Sequence, residues 1–527
     1  MKRFILSLFV ILFCAITGNA QNQFHKRYGS SYFDRAYRTI ETGDGNFLVV
    51  GQTKGFGSGG NAFLMKVNPE GSLLWVKDYA GINLDETRDV IELSDGSLVM
   101  CGATFSYGAG NLDGFLMKTD SEGNVIWSKS YGNIYGQYFL RVEEDGEGGF
   151  YVAGYMQQLP PQNTQGTGVM RVDGEGNIIW VRWSPNWSPQ GDWYPIDMAS
   201  ISTGGVVVCG VGVDIWKFDP DGELSWSRRY RPSGSGGVTG LAMIENGVGE
   251  ILINFALVDD NTVGQSADNC ILRLNSLGEF VSHKCYGGLY TDWSRTISNT
   301  DDGGTLICGF TNSAGNGDRD AFLAKLDSAG DTEWAMAYGG AWQDNSAHAV
   351  QTSDGGYLLT GQSWSEGIAI DSSKVHLVKT DSFGNSTCNS VSWMPETNDI
   401  IAPQEAPNLM IEFTSLEVNE IDWTPNDRDF YENDLCNVLS VDVAFESTGL
   451  KVYPNPFSHQ ATIESKVPLE SAKLVLTNSI GQVVKEMEGL DGTKINLNRN
   501  LLPSGVYLIQ LIQEGKIVHK TRVLIVD

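Results

Sequence analysis

Asp44-Gly45-Asn46-Phe47-Leu48-Val49-Val50-Gly51 is the stretch on which the fold turns. Asp-Gly-Asn is a turn signal, and the four apolar residues behind it form a short run bounded by glycine. A run without polar alternation suits a strand covered on both faces. The same stretch returns far along the chain as Asp354-Gly355-Gly356-Tyr357-Leu358-Leu359-Thr360-Gly361. Working outward, an aromatic residue opens each unit about every 52 residues: Tyr28, Tyr79, Tyr131, Trp183, Tyr230, Tyr286 and Tyr338. A second turn of the form Asp/Asn-x-x-Gly follows in each, as in Asn68 to Gly71, Asp120 to Gly123 and Asp381 to Gly384. A tryptophan usually comes next: Trp75, Trp127, Trp180, Trp226 and Trp334.

Each unit therefore reads as four short strands, placed in the first unit near 36–41, 46–52, 62–67 and 73–78. Seven such units predict an all-β fold, a seven-bladed β-propeller. The last unit keeps its turn at Asp381 to Gly384 but lacks the tryptophan strand. The missing piece is at the other end. Phe24-His25-Lys26-Arg27-Tyr28-Gly29 matches Trp127-Ser128-Lys129-Ser130-Tyr131-Gly132 position by position, so the N-terminal strand is expected to close the seventh blade. The Asp-x-x-Gly-x-x-x-Trp element resembles the tryptophan motif of quinoprotein-type propellers and, less closely, the Asp box of sialidases. The alanine before the aspartate and the Thr-Gly pair of the quinoprotein pattern are missing, so the resemblance implies architecture alone: an aspartate that accepts turn hydrogen bonds and a tryptophan packed between blades.

Residues 1–20 read as a secretory signal peptide, with Lys2 and Arg3, an apolar run over 4–16 and the small residues Gly18-Asn19-Ala20. That run is too short to span a membrane, and no later one is longer, so no transmembrane segment is expected in the mature chain. The chain carries a net charge of −28. Without Lys2 and Arg3, 34 basic residues face 64 acidic ones, which gives −30. The imbalance lies ahead of Leu450, since from there onward 9 basic residues stand against 7 acidic ones. Such a body repels nucleic acid and anionic membranes, so no nucleic-acid partner is expected.

Cys101, Cys209 and Cys308 share one repeat position before a glycine and read as buried small hydrophobes. Cys270 and Cys285 flank a hairpin turn, and Cys388 with Cys436 is a candidate disulfide in an oxidising compartment. No His-Glu-x-x-His, no zinc-ligand spacing among the six histidines and no Gly-x-Ser-x-Gly elbow occurs. No catalytic set is read. No cofactor is identified; calcium is the candidate ion, from the acidity and the Asp318-Arg319-Asp320 spacing.

The loops after the second strand and after the fourth vary in length, while the other two sets are short and alike. The variable set belongs to one face and carries the candidate ligand-binding aromatics Trp183, Trp187, Trp193, Tyr194, Trp293, Trp342 and Trp364. Aromatic rings beside amides and carboxylates suit sugar rings; the same rings also serve as buried loop anchors. Two functions are open: a surface binding or adhesion module for glycan or protein, and an extracellular hydrolase or lyase acting on polysaccharide.

The repeats occupy 21–388. An acidic stretch with four prolines, 389–447, reads as an extension and linker. From 448 to 527 alternating strands suggest an Ig-like β-sandwich. Tyr453-Pro454-Asn455-Pro456, Gly481-Gln482, then Leu502, Gly505 and Tyr507, and a basic-then-apolar end at Lys520, Arg522 and 523–526 occur in order. This tail resembles the type A C-terminal sorting domain of the type IX secretion system of Bacteroidota. The resemblance implies a secretion-machinery partner, passage through the periplasm, and a final place in the medium or on the outer-membrane surface. The repeats likewise resemble those of other exported Bacteroidota proteins.

Overall fold

In a computed structural model the chain divides into two compact units, 1–439 and 440–527. The structure describes residues 21–525 apart from 57–58, 158–164, 186–195, 211–212, 231–236, 259–266, 365–372, 389, 399–410, 413–416, 422, 424–425, 429–430, 435–449, 454–456, 478–482, 501, 504 and 514–515. The candidate residues Trp187, Trp193, Tyr194, Cys436, Pro454, Asn455, Pro456 and Gly481 lie outside them.

Among the described residues the first unit holds seven antiparallel sheets, numbered here I to VII in chain order. Sheet I is Asp34–Glu41, Phe47–Thr53, Asn61–Val67 and Leu73–Tyr79, hydrogen-bonded in that order. Sheets II to VI repeat the plan, beginning at Asp85–Glu92, Gln137–Glu144, Asp197–Ser200, Gly237–Glu245 and Asp292–Asn299. Sheet VII takes three strands from Asp344–Gln351, Tyr357–Ser363 and Lys374–Thr380, and its fourth from Phe24–Gly29. The register sets Phe24 opposite Lys379 and Tyr28 opposite Val375. The first strand of every sheet contacts the first strand of the next, and that of sheet VII contacts that of sheet I.

Local sequence dictates these elements. Gly45 sits at φ 78°, a left-handed turn position that glycine adopts without steric cost, and its N–H bonds the Thr42 carbonyl at 2.8 Å. The strand behind it, Phe47–Thr53, is buried at every residue, as its unbroken apolar run requires. In the second turn Asp173 Oδ1 accepts the N–H groups of Glu175 and Asn177 at 3.0 and 2.8 Å. A methyl group on Gly176 would come within 3.1 Å of the Trp127 ring, so the repeated tryptophan lies over the next sheet's turn. Phe24 lies the same way over Gly71, in the role the sequence match assigns it.

The stretch after Cys388 is threaded along the sheet edges. Ser390–Trp393 pairs with the outer strand of sheet VI, and Glu396–Asn398 with that of sheet V. Ile411–Glu412, Glu417–Glu420, Asn426–Arg428 and Tyr431–Asp434 then add to sheets III, II, I and VII. These strands form a belt that runs once round the sheets against chain order. It covers outer edges that would otherwise offer unpaired backbone groups.

Cys270 and Cys285 form a disulfide across sheet V, while Cys101, Cys209 and Cys308 are buried free thiols. Cys388 is also disulfide-bonded, to a partner outside the described residues.

The second unit joins Leu450–Tyr453, Gln460–Thr477, Val483–Asn498, Gly505–Gln513 and Lys516–Ile525 into one hydrogen-bonded sheet rather than two separate ones. Register breaks between Glu464 and Leu474 divide its long strands. Residues on both sides of the breaks, Ile463 and Leu476 among them, enter one core with Tyr507 and Val523.

Candidate functional site

The first strands carry an irregularity at one shared position. Pairing skips a residue between Ala36 and Arg38, Thr87 and Asp89, Phe139 and Arg141, Ser294 and Thr296, and Ser346 and His348. The skipped residues are Tyr37, Arg88, Leu140, Arg295 and Ala347; Arg295 is exposed and the other four are half-buried, each behind a buried neighbour. A bulge leaves one residue outside the ladder and re-aims its side chain. Here the bulged side chains of sheets I, II and VI, Tyr37, Arg88 and Arg295, interact with one another.

Tyr37 Oη donates to Glu86 Oε2 at 2.8 Å, and Tyr138 Oη donates to the same carboxylate. Arg88 pairs with Glu86 at 3.1 Å, and its guanidinium lies 3.7 Å from the Tyr37 ring centre and 4.8 Å from that of Tyr138. Burial pushes the Glu86 carboxyl up, but Arg88 and the two tyrosine hydroxyls outweigh it and hold the group below its usual range. Arg35 lies 5.6 Å from the Phe33 ring and 5.5 Å from that of Tyr37. On sheet VI, Arg319 sits 4.0 Å from the Phe310 ring centre, and Phe310 stacks on Trp293 at 6.1 Å.

Arg295 joins these parts. It is solvent-exposed, yet burial by surrounding protein and repulsion from Arg35, Arg88 and Arg319 push its pKa down to about 10. Arg35 and Arg88 stand on sheets I and II, Arg295 on sheet VI, so the repulsion acts between first strands that the first strand of sheet VII joins. Next along the strands the arginines are paired: Arg38 with Asp89 at 2.8 Å, and Arg141 with Asp197.

The structure treats the aromatic candidates differently. Trp183 is fully buried and donates Nε1–H to the Met156 carbonyl at 3.0 Å, so it is a packing residue and offers no surface to a ligand. Trp293 is half-buried against Phe310. Trp342 is 56% exposed, and the half-buried Trp364 bonds through its backbone N–H to the Gln343 carbonyl at 3.0 Å. Gln343 in turn bridges to Arg319, which gathers Trp342, Trp364 and Arg319 at one end of sheets VI and VII. In the tail, Tyr453 bonds Glu464 at 3.0 Å, Gly505 pairs with Ile525, and buried Tyr507 bonds the Pro503 carbonyl at 2.8 Å. Asp320 is buried and Asp318 exposed; among the described residues no group of three or more His, Cys, Asp or Glu side chains is placed to hold a metal ion.

Sequence reasoning missed the arginines. Arg88 and Arg295 are the fourth residues of their first strands, a position that strict alternation does not single out.

Residues 451–526 match the family described as "Secretion system C-terminal sorting domain". The chain is thus an exported protein, secreted or held at the cell surface, and the tail engages the secretion system. No helix among the described residues is long and apolar enough to cross a membrane. No curated protein matches the chain. Solved structures similar to it include a protein of unknown function from Bacteroides caccae, at 14% identity over 58% of this chain and 94% of that one, TM-score 0.34. A second, from Dyadobacter fermentans, has 12% identity over 69% and 100%, TM-score 0.39. A putative oxidoreductase (glucose dehydrogenase) from Thermus thermophilus has 11% identity over 57% and 99%, TM-score 0.35.

Proposed function

We propose that the first unit is a seven-bladed β-propeller, exported by the type IX secretion system of a Bacteroidota cell, and that it works as a glycan-binding module. The signal peptide at 1–20 takes the chain to the periplasm, and the sorting domain takes it to the outer-membrane surface. The observation that carries the binding role is the grouping at one end of the first strands, where Arg319 lies on the Phe310 ring and half-buried Trp293 stacks on that ring. A stacked aromatic pair offers a face to sugar CH groups, and the polar groups beside it fix orientation. A glycan array probed with the full chain tests this reading, and retention on at least one glycan class is the expected outcome. Retention on none, or product release from a polysaccharide panel, would move the assignment to a protein ligand or to an enzyme respectively. A Cys388–Cys436 bridge is part of the same proposal. The belt begins beside His25, whose Nδ1 lies 3.2 Å from the Cys388 carbonyl, and returns with Asp434 opposite Lys26. Non-reducing peptide mapping should recover those two cysteines in one fragment.

A further inference from the structure

We propose that the centre of the ring binds an acidic oligosaccharide through a carboxylate or sulfate group held by Arg35, Arg295 and Arg319. The inference rests on the glycan-binding reading above and names the ligand's chemistry. It starts from charge. The chain is strongly acidic, yet Arg35, Arg88 and Arg295 stand on the first strands of sheets I, II and VI, Arg88 lies against the Tyr37 ring of sheet I, and Arg319 is bridged to Gln343 beside the first strand of sheet VII, which joins sheets VI and I. Arg295 is repelled by the other three guanidinium groups. Like charges brought together out of bulk water are costly unless an opposite charge joins them.

The pairing pattern shows where that opposite charge is lacking. Arg38 and Arg141 hold Asp89 and Asp197, and Arg88 holds Glu86. Among the described residues Arg35, Arg295 and Arg319 make no ion pair within 4.0 Å. Asp318 is near enough to act on Arg319 but is exposed and does not bond it. Glu86 is already occupied by Arg88 and two tyrosine hydroxyls, so its charge is spent inside the cluster.

The geometry points to a planar or tetrahedral oxyanion. Arg319 is held by stacking over Phe310, and its buried Nε–H has no acceptor. Arg35 is held by ring faces on two sides and bonds only Tyr37 Oη, at 3.4 Å. Stacking fixes a guanidinium while leaving its edge donors free for a bidentate carboxylate or sulfate. Trp293, stacked on Phe310, supplies the flat apolar surface that a free anion does not need and a sugar ring does.

Calorimetry on the full chain tests this with four probes: an oligogalacturonate, a sulfated oligosaccharide, a neutral oligosaccharide of equal length, and inorganic sulfate. One or both acidic sugars should bind, weakening as salt rises, with the neutral sugar and inorganic sulfate at least about tenfold weaker. Which acidic sugar binds distinguishes carboxylate from sulfate. R295A and R319A should each lower acidic-sugar affinity by about tenfold or more, the loss of a charge-assisted hydrogen bond, with R295K intermediate. The acidic sugar should raise the melting temperature of the wild-type chain and not that of R295A, whose own melting temperature should not fall because a repelled charge has gone. Equal binding of the neutral sugar overturns the anionic site and leaves the glycan reading standing. Inorganic sulfate binding as tightly as the sugars overturns it as well. Unchanged acidic-sugar affinity in both R295A and R319A places the site elsewhere. Binding of no sugar sinks the glycan reading itself.

Discussion

Tyr131 donates its phenolic hydrogen to the carbonyl oxygen of Gly176 at 2.6 Å, from the outer strand of sheet II to the outer turn of sheet III. Tyr28 and Gly71, Tyr79 and Gly123, Tyr230 and Gly278, Tyr286 and Gly330, and Tyr338 and Gly384 repeat it at 2.5 to 2.7 Å. Only the sheet III to sheet IV junction departs. There the aromatic is Trp183, and Arg182 takes the Gly222 carbonyl instead, at 2.8 Å. Tyr131→Phe strands a buried carbonyl and should cost about 1–2 kcal/mol, read as a lower denaturation midpoint with unchanged slope.

The glycine inside the repeated strand, Gly51, has a steric reason. A methyl group on Gly51 would lie 1.9 Å from the Arg35 carbonyl oxygen, beside the bulge at Tyr37. Gly51→Ala must move backbone and should cost about 3 kcal/mol or more. Gly45→Ala meets no atom and pays only for its left-handed φ, about 1 kcal/mol. Thermal melts of the two variants should rank in that order.

Asp320 makes stability depend on pH. Burial, with the nearby Asp344 charge adding to it, pushes its pKa up to about 7, although the Gly317 and Asn316 N–H groups favour the charged form. An acid whose pKa is raised in the folded state binds its proton more tightly there than in the unfolded chain. Its contribution is therefore full below about pH 4 and is lost as pH climbs toward 7. Asp320→Asn removes that titration, so its stability should fall less steeply between pH 4 and 7. Chemical denaturation at several pH values measures the slope; an unchanged slope would sink the assignment.

Deleting residues 21–28 should lower the melting temperature sharply. The deletion removes the fourth strand of sheet VII, the Phe24 ring over Gly71 and the Tyr28 tie. It also exposes two edges, of Lys374–Thr380 and Tyr431–Asp434, so aggregation should accompany the loss.

The repeated turns, the four-strand units and the Phe24-to-Tyr28 match were legible in the sequence because each is local, or copied unit by unit. The belt was not, since strands of two to four residues carry no periodicity. Trp183 misled because the opening aromatic of each unit is a packing position, whichever ring fills it. The arginine centre was hidden by the bulge, which shifts Arg88 and Arg295 out of the alternation that assigns faces. The glycines at 51, 102 and 309 were its visible trace: each faces a carbonyl on the strand that bulges.

The belt sets a schedule. The strand made first, Phe24–Gly29, cannot be enclosed until the segment made nearly last, Tyr431–Asp434, arrives beside it. Contacts of that span form slowly. Sixteen residues after Asp434 the tail begins its own first strand at Leu450. A ribosome or translocon delivering this chain thus releases the final piece of the cargo and the start of its address almost together. A cargo cut short before residue 431 lacks both.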